Sequence, residues 1–515
     1  MTGAALASSG TAGRAFRRFS PADTTQSRRL PVLKLMQPEM PMTSAATSRD
    51  AVAAETRLGP LAWLRARLAN QRDCAGVGQA ALAAFAIRVL SAAIAYLTQV
   101  VLARWMGSSE YGIFVWVWVW VLILGGLSGL GLQISLIRFV PQYLALGQLD
   151  LLSGVLRTGR AIPVAVASCV AVLAIAGIWL SGAAIPAEYR WALGLAMLCL
   201  PLYALTDAQD GIGRGRSWIA LGLLPPYVLR PLLILAGMIV AHAAGLPMLA
   251  STAAGAALFA TSTTGLVQWA LIERRLALDS VRMAPHFAIR EWIATSLPIC
   301  FVAACELVLQ NLDVLVLTRY AQPGEVGVYF AALKSIGLVA FVNYAVGSAI
   351  SARLSDLNAR GDRAGVQRAV QDGAVWTFLP SLLGAVTLLS VGKPLLSLFG
   401  AEFTAGYTLM IVLAIGLVVR SAVGPAESVL RMLGEQKLCA AVLFVSALAD
   451  IALSLALVPS YGVLGAAVSN AGAMSLAALL FHVLAWRRLG FDVSAFAGLM
   501  RPLEHDHFRW KRIGS

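Results

Sequence analysis

The sequence predicts an all-α membrane protein of about twelve transmembrane helices in two pseudo-symmetric six-helix bundles. Three observations predict it. First, the 515 residues are 59% hydrophobic and only 13% charged, with mean hydropathy +0.76, too little polar surface for a water-exposed fold of this length. Second, runs of about 20 apolar residues, the length that crosses a hydrocarbon core, recur along the chain. Third, "LARWMGSSEYGIF" from Leu102 and "LTRYAQPGEVGVY" from Leu317 repeat one phrase 215 residues apart.

Taken in chain order, residues 1–75 are rich in Ser, Thr, Ala, Arg and Pro and hold no sustained apolar run. They read as a disordered or interfacial cytoplasmic tail. Within it, "GPLAWLRARL" sets Leu61, Leu64 and Leu68 on one face, suited to a membrane surface. An Arg-rich, acid-poor start is also the pattern of an organelle transit peptide, and Met36, Met40 and Met42 offer later starts. Residues 76–275 form the first bundle, with spans near 79–103, 112–137, 161–181, 189–206, 218–243 and 246–272. Residues 276–488 form the second, with spans near 292–318, 326–351, 374–392, 403–423, 437–459 and 462–486. Residues 489–515 are a second cytoplasmic tail. Pro201, Pro298 and Pro380 fall inside spans, which membrane helices tolerate. The runs are apolar on all sides, so the alternation of a barrel strand is missing.

Loop charge fixes the expected orientation. One set of loops carries a dense arginine series from Arg138 to Arg431, including Arg282 and Arg353; the opposite set carries only Arg104, Arg190, Arg319 and Lys393. The first set is expected to be cytoplasmic, with both termini on that side of an inner membrane. The net charge of +14 then reads as topology plus attraction to anionic lipid heads, and no nucleic-acid partner is needed. The six cysteines form no CxxC pair and read as buried free thiols; no metal site is expected, and no cofactor.

The repeat aligns Arg104 with Arg319, Glu110 with Glu325, Gly112 with Gly327, and Arg138 with Arg353. An even number of spans separates the copies, so both halves share one orientation, an arrangement that sets a substrate site between two bundles. The phrases fall in outward hairpins, where Arg104–Glu110 and Arg319–Glu325 are expected to tie each hairpin shut or to take part in an outer gate. At an offset of 217, Gly245 corresponds to Gly462 and Gly255 to Gly472.

Charges inside spans are expensive and normally face a cavity or a partner. Glu306, Gln310 and Asp313 stand at i, i+4 and i+7, within roughly 60° of arc on span seven. On span one, Arg88, Ala92, Ala95 and Gln99 form a matching stripe, and the repeat sets Ser91, Ala95 and Thr98 opposite the span-seven trio. Two equivalent polar faces are thus expected to look onto one cavity. Arg230, Lys334, Arg420 and Asp450 are further intramembrane charges; Lys334, like Arg88, is expected to face the cavity, Arg230 and Arg420 suit a cavity role or a structural salt bridge, and Asp450 reads as a cap or pair within the bundle, whereas Asp207 and Asp210 sit at an expected helix end where solvation accounts for them.

Other patterns have plainer readings. "GVGQAA" from Gly76 has no preceding strand, so it is no dinucleotide fingerprint. "GIGRGRS" lacks the GK[ST] of a phosphate loop. Gly125 and Gly129 suit close helix packing, and Trp116, Trp118 and Trp120 suit interfacial anchoring near the outer surface.

"VVLARWMGSSEYGIF" followed by "GLGLQISLIRFVPQY" resembles the opening of the lipid-linked oligosaccharide and polysaccharide flippases of the multidrug/oligosaccharidyl-lipid/polysaccharide (MOP) exporter superfamily. "LDVLVLTRYAQPGEVGVYFAALKSIGL", "LLSLFGAEF" and "LVPSYGVLGAAVSNAG" continue the likeness through residues 79–488. The resemblance implies the MATE-like fold and a flippase, not an enzyme. Its expected cargo is a polyprenyl-diphosphate-linked oligosaccharide for O-antigen or exopolysaccharide assembly, moved from the cytoplasmic to the periplasmic leaflet. In related members a cationic cavity receives the diphosphate and an ion gradient drives alternating access. By position, Lys334 matches the basic residue after the family's "GxYxAA" phrase and Arg88 a first-helix cavity arginine; Asp450 and Ser454 stand where many members carry asparagines. The expectation is that Arg88 and Lys334, with Arg230 and Arg420, hold the diphosphate. Glu306 and Asp313, with Gln310, are expected to handle H+ or Na+. A polysaccharide polymerase and glycosyltransferases are the expected protein partners.

Four other readings compete. A cation-coupled drug or metabolite antiporter of the same superfamily would favour acidic over basic cavity residues. A murein-precursor flippase would carry two extra helices. A membrane polymerase or ligase would show a large outward loop with catalytic groups, and a scaffold would not explain the acidic stripe of span seven.

Overall fold

A computed structural model describes residues 60–182, 185–278, 284–343, 360–432, 435–490 and 492–500, with isolated positions between 346 and 357, and side chains from Ile87 onward. The expected disorder of the tail, the surface-lying leucines and the loop arginines Arg282 and Arg353 lie outside the described residues. The chain divides into two units, Met1–Cys74 and Ala75–Ser515; the spans all belong to the second.

Every described element is helical. Among the described residues, nine helices are long and apolar enough to cross a membrane, and a bent pair, Ala187–Met197 and Leu200–Gly215, makes a tenth crossing with a 41° break. Two of the nine are hairpins. Pro60–Ser128 leaves helical geometry at Gly107 (φ 75°), and Tyr111 Oη donates to Gln99 Oε1 at 2.8 Å. In a straight helix, residues twelve apart lie about 18 Å from one another, so the chain reverses at Gly107. Gln436–Leu489 leaves helical geometry at Gly462 (φ 54°). There, Leu453 reaches to within 3.3 Å of the position a Gly472 side chain would take, so it reverses too. These two hairpins bring the crossings to the expected twelve in a multi-pass membrane protein.

The repeat is visible in the turns. Gly245 (φ 71°) and Gly462 (φ 54°) both occupy the left-handed region, which admits glycine without a Cβ clash; this explains their correspondence. Spans three and nine begin earlier than the apolar pattern implies, as Leu149–Leu180 and Arg363–Ser390. Their first three turns carry the charged residues Asp150, Arg157, Arg160, Arg363 and Arg368, which kept them out of the apolar pattern. Span five contains a five-residue π-helical turn, Pro225–Leu229; Gln268 Nε2 donates to the carbonyls of Leu221 and Gly222 just before it. Large apolar side chains such as Leu173 (72% exposed) and Trp376 (69%) point outward, forming the lipid-facing surface.

The core shows how the two bundles meet. At the hairpin end one apolar cluster contains residues of both halves, Leu102 and Tyr111 alongside Val326 and Phe403. The rings of Tyr111 and Phe330 lie 6.4 Å apart there, and those of Tyr96 and Phe399 lie 5.6 Å apart. Toward the arginine-rich face the core divides: one cluster runs from Leu132 to Trp292 and the other from Cys305 to Val493. Among the described residues, the helix Leu132–Ala145 that continues span two, and the start of span three, stay joined to the entry of span seven at that end: the His286 N–H donates to the Asp150 carbonyl at 3.1 Å. Trp292 Nε1 donates to Tyr143 Oη at 2.9 Å, and Ser296 Oγ donates to Ser135 Oγ at 2.8 Å.

Candidate functional site

A cavity occupies the space between the divided cores. Its larger lobe, about 680 Å³, is lined by Gln99, Glu306, Gln310, Lys334, Arg420 and Asn470 among others. Its smaller lobe, about 290 Å³, is lined by Arg88, Thr98, Tyr227 and Arg230 among others. Ala92, Ala95, Gln99, Trp118 and Phe341 line both lobes and form their common wall. The stripes of spans one and seven therefore do face one chamber.

Among the described residues, the charged ones lining the smaller lobe are Arg88 and Arg230; Asp210 lies within electrostatic range of the first and Asp207 of the second. The Arg88 guanidinium lies 3.9 Å from the Tyr227 ring centroid, and that of Arg230 lies 4.8 Å from the Tyr203 ring. Each retains a buried nitrogen without a hydrogen-bond partner, Nε of Arg88 and Nη1 of Arg230. A cation stacked on an aromatic face is held in place, and a buried donor without a partner leaves its charge uncompensated. Lys334 occupies the other lobe, its Nζ 4.7 Å from the Phe330 ring centroid. The structure thus puts Arg88 and Lys334 on opposite sides of the common wall.

Asp313 corrects one expectation. It shares the span-seven stripe but does not line the cavity: it is 0% exposed. Tyr329 Oη donates to its Oδ2, Asn470 Nδ2 donates to the same oxygen at 3.4 Å, and the Val314 N–H donates to Oδ1 at 2.9 Å. Helical angle was read correctly, but Asp313 lies about 10 Å further along the axis than Glu306, where the hairpin end has already closed. Asp450 is also 0% exposed, and both its oxygens lack a hydrogen-bond partner, as does the hydroxyl of Ser454. Asp313 lies within electrostatic range of both Asp450 and Lys334.

Glu306 has a partner that sequence reading missed. Arg431 Nη2 lies 2.5 Å from Glu306 Oε1 and 2.6 Å from Glu427 Oε1, and Glu427 lies 3.5 Å from Arg420. Burial alone would lower the Arg431 guanidinium, but the carboxylates of Glu427 and Glu306 outweigh it and hold it above its usual range. Both acidic residues lining the larger lobe are thereby matched to cations. The signal was present as a loop arginine, counted only toward topology.

The hairpin ion pairs also need correction. Among the described residues, Glu110 Oε2 accepts the Ala250 N–H at 2.7 Å, where an open helix N-terminus attracts a carboxylate. Arg104 instead reaches the Leu398 carbonyl at 3.5 Å. Glu325 closes a capping box by accepting the Gln322 N–H at 2.9 Å, and Arg319 lies over the Tyr320 ring. What closes this end is backbone proximity. A Cβ at Gly112 would lie 1.8 Å from the Pro323 carbonyl oxygen, and one at Gly327 would lie 2.5 Å from that of Ser108. Ser108 and Pro323, like Gly112 and Gly327, differ by 215 in number. The duplicated phrase is thus a pair of mutually packed contacts about a pseudo-two-fold axis, sealed further by Glu402 Oε1 accepting the Ser108 N–H at 2.7 Å.

The "VWVWVW" run also reads differently in three dimensions. Residues two apart on a helix differ by about 200°, so Trp116 and Trp120 share a face and Trp118 takes the opposite one. Trp116 packs edge-on against Trp120 and Tyr189, whereas Trp118 lines the cavity. The glycines of "GIGRGRS" are packing contacts. A Cβ at Gly211 would lie 2.3 Å from the Gln133 carbonyl oxygen, and one at Gly213 would lie 2.7 Å from the Gly222 Cα.

Comparison with known proteins agrees with this architecture. The family model "Polysaccharide biosynthesis protein" matches residues 77–357, just over half the chain, and the MatE model matches residues 298–456. Among solved structures, an inward-facing multidrug resistance MATE family transporter of the MOP superfamily aligns with TM-score 0.65 at 13% identity, covering 78% of this chain and 94% of that one. The lipid II flippase MurJ in an inward closed conformation aligns with TM-score 0.59 at 15% identity, covering 81% and 90%. A MOP superfamily transporter from Pyrococcus furiosus, described as having a binding pocket of reversed polarity, aligns with TM-score 0.55 at 13% identity, covering 79% and 95%. No curated protein matches the sequence. With its paired bundles and central chamber, the chain belongs to the polysaccharide biosynthesis protein family and shares the fold of the MOP superfamily transporters it aligns with.

Proposed function

We propose that this transporter is a flippase for polyprenyl-diphosphate-linked oligosaccharide, supplying O-antigen or exopolysaccharide assembly. The observation that carries the proposal is the sign of the smaller lobe, whose charged lining, among the described residues, is Arg88 and Arg230. A diphosphate cannot enter hydrocarbon unaided, because desolvating ionised oxygens costs many kcal/mol. Guanidinium N–H groups held open replace the lost water with charge-assisted hydrogen bonds. A cationic drug would find repulsion in that lobe and neutralised carboxylates in the other. On this reading the arginine-rich face is cytoplasmic, the headgroup is taken up with the hairpin end shut, and release follows when the Gly112 and Gly327 contacts part.

Coupling to H+ or Na+ would act at Asp313 and Asp450. Partnerless carboxylate oxygens on a fully buried Asp450 suit a group that binds a proton or cation during the cycle, since an uncompensated buried charge is costly. Lys334 links the two sites: it lines the larger lobe and lies within electrostatic range of Asp313, so headgroup and cation would influence one another through it. Glu306, paired with Arg431, serves in this scheme as cavity lining.

The test is translocation in proteoliposomes of a polyprenyl diphosphate bearing a short oligosaccharide, read by access of an impermeant sugar-modifying reagent. Arg88→Ala and Arg230→Ala should each slow translocation by about tenfold or more, one charge-assisted hydrogen bond's worth. Full-rate translocation by both variants refutes the anionic-headgroup reading.

A further inference from the structure

We infer that Trp118 is a carbohydrate-stacking platform for the first sugar of the cargo, with Gln99 and Gln310 as its hydrogen-bonding flanks. The inference rests on the flippase reading above. The indole lines both lobes, and so sits where they join. It is half-buried, with the Phe114 ring nearly parallel to it at 6.1 Å and 20°, a contact that fixes its plane. Across the same wall, Ala92 and Ala95 of span one carry only methyl side chains and leave room for a ring-sized group.

The flanking polar groups suit a sugar. Gln99 accepts the Tyr111 hydroxyl with its Oε1, which orients the amide and leaves its NH2 group for a ligand. Gln310 is accessible in the larger lobe. Neutral amides match hydroxyls and acetamido groups without the desolvation cost of a charge, while the C–H face of a pyranose is apolar enough to lie on an indole. The covalent order of the cargo adds a distance argument. The anomeric carbon of the first sugar is bonded to an oxygen of the diphosphate, so with the diphosphate between Arg88 and Arg230 that sugar must occupy the adjoining junction. Trp118 stands there, and the larger lobe beyond it has room for further residues of the glycan.

The experiment is equilibrium binding of two defined lipids to the purified full-length protein in nanodiscs: undecaprenyl diphosphate, and the same lipid carrying one N-acetylglucosamine. The wild-type protein should bind the sugar-bearing lipid about fivefold more tightly, the range of a single aromatic stacking contact. Trp118→Leu should erase that preference while leaving affinity for the bare lipid unchanged. Trp118→Phe should restore part of it, and Trp116→Leu, on the opposite helix face, should behave as wild type. The platform is overturned if Trp118→Leu keeps the preference, if it weakens both lipids alike, or if Trp116→Leu also loses the preference. Wild-type protein that binds both lipids equally overturns the platform and leaves the flippase reading standing. Wild-type protein that binds neither overturns the flippase reading, and the platform with it.

Discussion

Replacing Gly112 by alanine introduces one methyl group, which would lie 1.8 Å from the Pro323 carbonyl oxygen and 2.7 Å from its carbonyl carbon. Both neighbours are backbone, so no side-chain rotation relieves the clash; the helices must separate by over 1 Å for that contact to reach even 3.0 Å. Overpacking of this kind costs about 1–3 kcal/mol, which moves a two-state equilibrium by roughly 5- to 150-fold. The affected state is the one with the hairpin end shut, so the population should shift toward hairpin-open molecules. Spin labels at Ala187→Cys and Lys393→Cys, which flank the seam on its two sides, should show a longer distance population in Gly112→Ala. Gly327→Ala, at 2.5 Å from the Ser108 carbonyl oxygen, should do the same more weakly. The double variant should fall short of additivity, because both report on one seam. Gly194→Ala, which meets nothing within 4 Å, is the control. A distance distribution in Gly112→Ala that matches wild type, with unchanged translocation, refutes the claim that these glycines form the closure.

The hairpin acids separate capping from ion pairing: Glu110→Ala should lower thermal stability by about 1 kcal/mol through loss of the Ala250 cap, while Arg104→Ala should be near neutral. Equal losses in calorimetry would restore the ion-pair reading. Arg431→Met leaves Glu306 and Glu427 without their shared cation, so polyprenyl diphosphate binding should weaken by about fivefold at low salt and less at high salt; unchanged low-salt binding contradicts the charge-matching argument. Asp450→Asn should raise melting temperature at neutral pH by relieving an unpaired buried carboxylate while abolishing the dependence of translocation on an ion gradient, and intact dependence excludes Asp450 from coupling.

Much of this architecture was readable before any coordinates, because a membrane span announces itself by length and hydropathy alone. The duplication was equally legible, and it anticipated that Gly112 and Gly327 are equivalent, though not that each packs on the backbone of the other's hairpin. Six of the seven intramembrane residues proposed for cargo or cation do line the chamber: Arg88, Arg230, Glu306, Gln310, Lys334 and Arg420. Asp313 does not, since a helical projection gives direction around the axis but not where along it the chamber ends. Glu110 was paired with the wrong group because its true partner, the Ala250 N–H, lies 140 residues away and leaves no local pattern. Trp118 was grouped with its neighbours because a run of alternating tryptophans resembles an interfacial belt, whereas the 200° step assigns it elsewhere.

The bond from Trp292 to Tyr143 has a consequence for how the molecule can move. With an indole of the second bundle sunk among the apolar side chains of the first, that flank behaves as the spine of a book, and the covers swing from it. Spans one and eight, bridged by the hydroxyls of Tyr96 and Ser335 at 3.0 Å, then form the fore-edge.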